Sequence, residues 1–335
     1  VRVTIKDIAN EAGVSITTVS RVLNNREDVN EKTREKVLKI IEKYNYNPNS
    51  VARSLVMNKT YTIGLIVPDI SNPFFAEIAR AVDDELRGYG YSVLVCNTDN
   101  KKQREKESID LLRSKQVDSI IGSFSYDIYE EIFKLEREGI PVVQIDRFVK
   151  DSKAPAIIVD NTSSAYLATE YLIKKGHKKI VHIAGDLNTN TGYCRAEGYR
   201  MALEDNNIDF NEELFLQGDF GLRSAYLALK ELLEKEASFT AVFASNDLMA
   251  IGAYEALREY GLKIPEDVSV FGHDNSLLSS LVKPGLSTMH QPIYKLGKKA
   301  ARVVIDILKD NKYPEPRRII IKTSLVERAS VKAIN

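Results

Sequence analysis

The 335-residue chain has no tryptophan, only two cysteines and four histidines, and a net charge of zero. The cysteines, Cys96 and Cys194, share no CxxC spacing, so neither a disulfide framework nor a zinc site is expected, and both read as buried free thiols. Without tryptophan, intrinsic fluorescence is a poor reporter of ligand binding. No run of about 18 or more apolar residues occurs, so no transmembrane helix is expected. The start, Val1 to Asp7, lacks the apolar core of a signal peptide, and a cytoplasmic protein is expected. No Walker A loop or GxGxxG motif is present, and no Ser-His-Asp arrangement or metal cluster stands out. Phosphate-loop nucleotide binding and catalysis are therefore not expected, and no cofactor is implied.

Hydrophobic residues make up 44% and charged residues 28%, the balance of a globular chain, and the length corresponds to about two domains. The zero net charge conceals an asymmetry. Residues 1–60 carry 11 Lys/Arg against 7 Asp/Glu, a surplus of +4, and the remainder carries 36 against 40, a deficit of −4. A small basic head on a larger acidic body is the pattern expected when one domain alone touches DNA.

Three helices are predicted in the head. The first begins at Thr4, with Asp7 placed as in a capping box, and Ile5, Ile8, Ala9 and Ala12 form one apolar stripe. Gly13 ends it. Ser15 then caps a second helix whose stripe is Val19, Val22 and Leu23, and a third, capped by Asn30, is expected to bury Val37, Ile40, Ile41 and Tyr44. Helix, tight glycine turn, helix is the arrangement that places a second helix in the DNA major groove. On that helix Thr17 and Arg21 lie opposite the stripe, where Arg21 can read guanine and Thr17 a base edge or thymine methyl. Ser15, Thr18, Ser20 and Asn24 are short donors suited to phosphates. Ile16 sits between the faces, as a core residue or an apolar base contact. A further segment after Asn47, with Pro48 in its first turn and Val51, Ala52 and Leu55 on one face, is too short at about nine residues to be a stable helix alone.

Thr4–Ala9, Ala12–Ser15, Thr18–Asn24 and Pro48–Leu55 together resemble the LacI/GalR family of bacterial repressors. The resemblance implies an all-α helix-turn-helix head over residues 1–46, a hinge helix and linker over 47–60, and a two-lobed body over 61–335. It places Thr4, Asn49, Ala52 and Leu55 among the DNA contacts, with Leu55 the wedge that paired hinge helices push between base steps in the minor groove.

In the body, apolar runs alternate with helical patterns. Ile63–Val67 precedes a helix near 74–88, Tyr91–Val95 a charged helix near 103–115, and Val142–Ile145 closes a first half. Ile180–Ile183, Ala241–Ala244 and Val268–Phe271 recur in a second. Such alternation predicts doubly wound parallel sheets in two lobes. Ligands of open α/β sheets bind beyond the carboxyl ends of the strands. Those positions hold Asn72 to Phe75, Asp146 and Arg147, Ser245 to Asp247, and His273 and Asp274. Asp, Arg and Asn can fork onto adjacent sugar hydroxyls, and aromatic faces can cover the C–H faces of a ring. Each residue alone also reads as a turn residue or helix cap; four such loops together point to a polar ligand.

The body resembles a periplasmic-type sugar-binding core and, more narrowly, the ribose-binding proteins. Asn72, Phe74, Phe75, Asp146, Arg147, Arg195, Phe220, Asn246, Asp274 and Gln291 match that group residue by residue. The resemblance implies that the three phenylalanines sandwich the sugar while the polar residues hydrogen-bond its hydroxyls. It also implies an N-lobe of about residues 61–159 and 292–320 and a C-lobe of about 160–291 and 321–335. His273 and Asn275 depart from the pattern, since related repressors more often carry an aromatic residue and a second Asp there. The expected protein is a homodimer on palindromic operator DNA, with no leucine heptad after Leu325–Ala329 to build a tetramer. Its expected effector is a small sugar, ribose or a related pentose, that lowers operator affinity. The alternative is a catabolite-control regulator whose corepressor, a phosphorylated carrier protein, docks around Tyr294–Val304, although residues 293–299 do not match that docking helix well. A transport binding protein is disfavoured by the DNA-binding head.

Overall fold

The computed structural model describes residues 3–23, 26, 28–46, 59–124, 128–149, 152–310 and 313–334, which fall into two compact units, Val1–Thr60 and Tyr61–Asn335. The first unit contains α1 (Ile5–Ala12), α2 (Ile16–Leu23) and α3 (Glu31–Lys43). Helices this short depend on having their ends satisfied. The Thr4 hydroxyl oxygen accepts from the Asp7 amide at 3.4 Å while the Asp7 carboxylate accepts from the Thr4 amide at 2.8 Å, a reciprocal cap. Gly13, at φ 66°, takes the left-handed turn that ends α1. Ser15 Oγ accepts from the Thr18 amide at 3.0 Å to start α2, and Asn30 Oδ1 accepts from the Lys32 amide at 3.0 Å to start α3. The apolar stripes meet in a core of Ile8, Ala9, Ala12, Val19, Val22, Val37 and Ile40, with Leu23 and Ile41 at its edge. Tyr44, expected in this core, is exposed, because α3 ends at Lys43 and the ring leaves the stripe at the C-cap, 4.8 Å from the Lys43 ammonium. The expected hinge helix, with Pro48, Asn49, Val51, Ala52 and Leu55, lies outside the described residues.

The second unit opens with β1 (Thr62–Val67), α4 (Pro73–Arg87), β2 (Ser92–Asn97), α5 (Lys102–Ser114), β3 (Ser119–Gly122), α6 (Tyr129–Arg137), β4 (Val142–Ile145) and β5 (Ala156–Val159). It continues with α7 (Asn161–Lys174), β6 (Ile180–Ala184), α8 (Asn190–Asp205), β7 (Phe215–Gln217), α9 (Leu222–Glu234), β8 (Ala241–Ala244), α10 (Asp247–Glu259), β9 (Ser269–Asp274), α11 (Leu277–Leu281) and β10 (Ser287–His290). It closes with α12 (Ile293–Asp310), β11 (Arg318–Ile321) and β12 (Ser324–Val326). Two six-stranded sheets result, ordered β11-β5-β4-β3-β1-β2 and β12-β10-β9-β8-β6-β7. Their central strands are buried on both faces, which is why they read as unbroken apolar runs.

The chain passes between the sheets after β5, after β10 and between β11 and β12. At the first two passages a helix, α7 or α12, carries the chain back to the amino end, so β6 and β11 join their sheets in parallel. The third passage has only Lys322 and Thr323 and no room for a helix. Accordingly β12 enters the second sheet from its carboxyl end and pairs antiparallel with β10, a departure from the expected all-parallel sheets. Although late in the chain, α12 packs on α4 of the first lobe, where Ile293, Leu296, Ala300 and Val304 share a core with Phe74, Ile78 and Val82. Gly297 permits the close approach, since a Cβ there would stand 2.7 Å from Ala81 Cβ and 2.8 Å from the Ile78 carbonyl. Cys96 is buried, whereas Cys194, also expected to be buried, is only half so, lying beside rather than on the packed face of α8; both thiols are free.

Candidate functional site

In the first unit, α2 presents a polar face. Thr17 and Arg21 are exposed opposite buried Val19 and Val22, and Ile16 is 43% exposed and therefore not a core residue. Arg21 pairs with Asp28 at 3.3 Å, both side chains more than half exposed, an ion pair weak enough to yield to a phosphate or base. Thr4 and Ser15 are engaged at helix starts, and the Ser15 and Thr18 hydroxyls lie 2.9 Å apart. Ser20 is half-buried. Asn24, Asn49, Ala52 and Leu55 lie outside the described residues.

In the second unit, a small cavity lies between the lobes. Asn72, Phe74, Phe75, Asp146, Arg147, Arg195, Phe220, Asn246, Asp274 and Gln291 all line it, and Thr191 joins them. Each is delivered by a strand's carboxyl end or the element that follows. Asn72 caps α4, its Oδ1 accepting from the Phe74 amide at 3.0 Å. Asn246 caps α10, its Oδ1 accepting from the Met249 amide at 2.8 Å while its Nδ2 donates to the Phe220 carbonyl at 2.9 Å. Phe74 and Phe75 meet edge to face with centroids 5.0 Å apart. The Phe220 ring occupies the space that a Cβ on Gly185 would fill, 2.2 Å from that position. Asp274, expected in a loop, is instead the last residue of β9. Asp146, Phe220 and Asp274 hold φ values of 64°, 70° and 123°, left-handed conformations costly for non-glycine residues that are typical of ligand clamps.

Four buried charges face one another here, two of each sign. Arg147 Nε stands 3.9 Å from Asp146 Oδ2, and Arg195 Nη1 stands 3.8 Å from Asp274 Oδ1. Burial pushes both carboxyls up from their usual range and both guanidiniums down. Neutral amides steady them. Gln291 Nε2 donates to Asp274 at 2.7 Å, Arg147 Nη1 donates to Asn100 Oδ1 at 2.7 Å, and Arg195 Nε donates to Asn161 Oδ1 at 2.8 Å. Arg147 Nε and Gln291 Oε1, one donor and one acceptor on cavity-lining residues, are buried without a hydrogen-bond partner. Such atoms cost about 1–3 kcal/mol each unless something pairs with them. The arrangement suits a small, uncharged ligand rich in hydroxyls. His273 does not line the cavity. It is buried with Nε2 2.8 Å from Ser164 Oγ, and burial holds its pKa well below the usual histidine value.

Sequence reasoning missed Thr191, whose hydroxyl donates across the lobes to the Asp146 carbonyl at 3.4 Å. It also missed the supports Asn100 and Asn161. All three follow carboxyl ends of strands, β6, β2 and β5, so the rule that located Asn72 would have reached them had it been applied to every strand. Among the described residues no helix is long and apolar enough to cross a membrane, and no cluster suits a metal ion.

Residues 4–49 match the bacterial regulatory proteins of the lacI family, and residues 60–329 match the periplasmic binding proteins and sugar binding domain of the LacI family. The HTH-type transcriptional repressor PurR of Vibrio atlanticus is 40% identical over 99% of both chains. The ribose operon repressor of Halalkalibacterium halodurans is 38% identical over 98% of this chain and 97% of its own. Among solved structures, the lac repressor dimer bound to operator and an anti-inducer matches with TM-score 0.88 and 28% identity, over 99% of this chain and all of that one. A LacI family regulator from Enterococcus faecium with bound ribose matches with TM-score 0.75 and 30% identity, over 82% of this chain and all of that one.

Proposed function

From the premise that the chain belongs to the LacI family of DNA-binding transcriptional repressors with a small-molecule effector domain, we propose that its effector is D-ribose or a close pentose and that the sugar lowers its affinity for operator DNA. The observation that carries this reading is the charge-balanced cavity, where two carboxylates and two guanidiniums flanked by three phenylalanines offer forked partners for adjacent hydroxyls and apolar faces for a ring. A phosphorylated or otherwise anionic ligand would upset that balance. The ribose operon repressor and the ribose-bound regulator support the same sugar. PurR relatives are equally close in overall identity, so the reading rests on the cavity rather than on the identity score. Exposed Thr17, Arg21 and Ile16 read bases, with Thr4, Ser15, Thr18, Ser20 and Asn24 on the backbone and Asn49, Ala52 and Leu55 in the minor groove. A twofold dimer on a palindrome is the assembly. Corepression by a carrier protein docking on α12 is less favoured, because residues 293–299 do not match that docking helix well.

The test is an operator titration. An operator is selected from random palindromic DNA, and the full-length protein is titrated onto it with and without millimolar D-ribose. Weaker binding with ribose supports the reading, tighter binding reverses the sign, and no change removes ribose as the effector. By linkage, operator must lower ribose affinity by the same factor, about 5–150-fold for a coupling of about 1–3 kcal/mol.

A further inference from the structure

Arg195 enters the cavity from α8, 2% exposed, and its back edge is held by two acceptors. Its Nε donates to Asn161 Oδ1 at 2.8 Å and its Nη1 donates to the Ser245 carbonyl at 2.5 Å. Asn161 is 5% exposed and does not line the cavity. It is the first residue of α7, directly after the point where the chain leaves β5 for the second lobe. The turn there is fixed by Asp160, whose carboxylate accepts from the Ser163 amide at 3.0 Å and the Ser163 hydroxyl at 2.7 Å. The side chain that aims Arg195 is thus carried by an interlobe crossing. Gln291, which donates to Asp274 at 2.7 Å, sits in the second crossing, between β10 and α12.

An amide is the acceptor this position requires. A carboxylate in its place would add a further acidic group to the buried Asp146 and Asp274 and would draw the guanidinium away from a ligand. The amide oxygen orients the planar fork without neutralising it, so the outer edge stays available to a hydroxyl.

We propose that Asn161 is a positioning residue that aims Arg195 at the effector and, through the Arg195–Asn161 hydrogen bond, ties ligand occupancy to the first crossing between the lobes. This rests on the effector reading given above, and its test separates the two. Calorimetric titration of D-ribose into the full-length protein is compared for wild type, Asn161→Ala and Asn161→Ser, with melting curves recorded without ligand to confirm folding. The serine variant keeps a small polar group that cannot span to Arg195 Nε. Both variants are expected to weaken ribose binding by about 10–100-fold, as for one lost hydrogen bond to a charged group. In an Arg195→Lys background, which lacks the Nε donor, the further loss from Asn161→Ala is expected to shrink to about threefold or less. The ratio of operator affinities with and without saturating ribose should also move toward one in Asn161→Ala. Equal ribose affinity in all three proteins, losses that simply add in the double variant, or an unchanged operator ratio overturns this inference alone. Failure of wild type to bind ribose overturns the effector reading, and this inference with it.

Discussion

Replacing Arg147 by lysine separates the charge of that residue from its shape. Arg147 is buried, with Nη1 donating to Asn100, its guanidinium 5.6 Å from the centre of the Phe220 ring on the other lobe, and Nε near Asp146 without a hydrogen-bond partner. Removing the charge altogether, as in Arg147→Ala, leaves the buried Asp146 carboxylate without its adjacent cation, at a cost of about 3–5 kcal/mol in fold stability that would confuse any binding measurement. Arg147→Lys keeps a cation opposite Asp146 and loses mainly the hydrogen bond to Asn100, a cost of about 1 kcal/mol. What lysine cannot supply is the planar fork, because an ammonium is a point donor that neither grips two hydroxyls bidentately nor stacks on Phe220. One lost charge-assisted contact of about 1.5–3 kcal/mol corresponds to ribose affinity falling about 10–100-fold. Calorimetric titration near neutral pH, with melting curves taken without sugar, reads both quantities. Ribose affinity within about twofold of wild type in a folded Arg147→Lys protein would refute Arg147 as a ligand-gripping group.

Arg21→Ala should weaken operator binding by about 1–3 kcal/mol and relax base preference, while leaving head stability nearly unchanged because its ion pair with Asp28 is exposed; equal losses on operator and random DNA would sink its role as a base reader. Ile8→Ala removes a fully buried side chain from the small head core and should cost about 2–5 kcal/mol there, abolishing operator binding while sugar binding by the second unit persists. His182, stacked between Tyr199 and Phe243 at 4.7 and 4.8 Å, is pushed by burial down to about 3. It stays neutral in the fold while the unfolded chain takes up a proton below about pH 6.5, so it contributes nothing above that pH and a growing penalty below it, about 2 kcal/mol at pH 5. Denaturation midpoints followed from neutral to acid pH should fall less steeply, by about one proton, in His182→Leu.

The head was readable because its determinants are local. Thr4, Gly13, Ser15 and Asn30 act within one turn of where they stand, and the stripes they frame follow helical spacing. Tyr44 failed because periodicity does not know where a helix stops. In the body, the long apolar strands were legible and the short ones were not. Strands such as β7 (Phe215–Gln217) and β12 (Ser324–Val326) offer three residues each, too few for any period to register. That limit carried into the site. Asp146 and Asn246 stand within two residues of recognisable strands and Asn72 in the loop after another, whereas Phe220 follows β7 and Arg195 sits a turn and a half into α8, so neither could be placed without the resemblance.

The deeper reason that Asn100, Asn161 and Thr191 escaped is that their roles exist only once the lobes meet or distant segments pack, and no residue pattern records which arginine an asparagine will hold. The same dependence explains how such a site can switch a protein. The lining is divided, with Asn72, Phe74, Phe75, Asp146 and Arg147 on one lobe and Arg195, Phe220, Asn246 and Asp274 on the other. A ligand shifts a conformational balance only by its differential affinity for the two arrangements. With the lobes in contact, through Thr191 on Asp146 and Arg147 over Phe220, Arg147 Nε and Gln291 Oε1 are buried with no partner. On the effector reading proposed above, a ligand hydroxyl facing either atom gains a contact in the closed arrangement that the open one lacks. Moving a two-state balance from about 1:99 to 99:1 takes about 5.5 kcal/mol, and two hydrogen bonds to charged or buried groups, at about 1.5–3 kcal/mol each, would supply a large part of it.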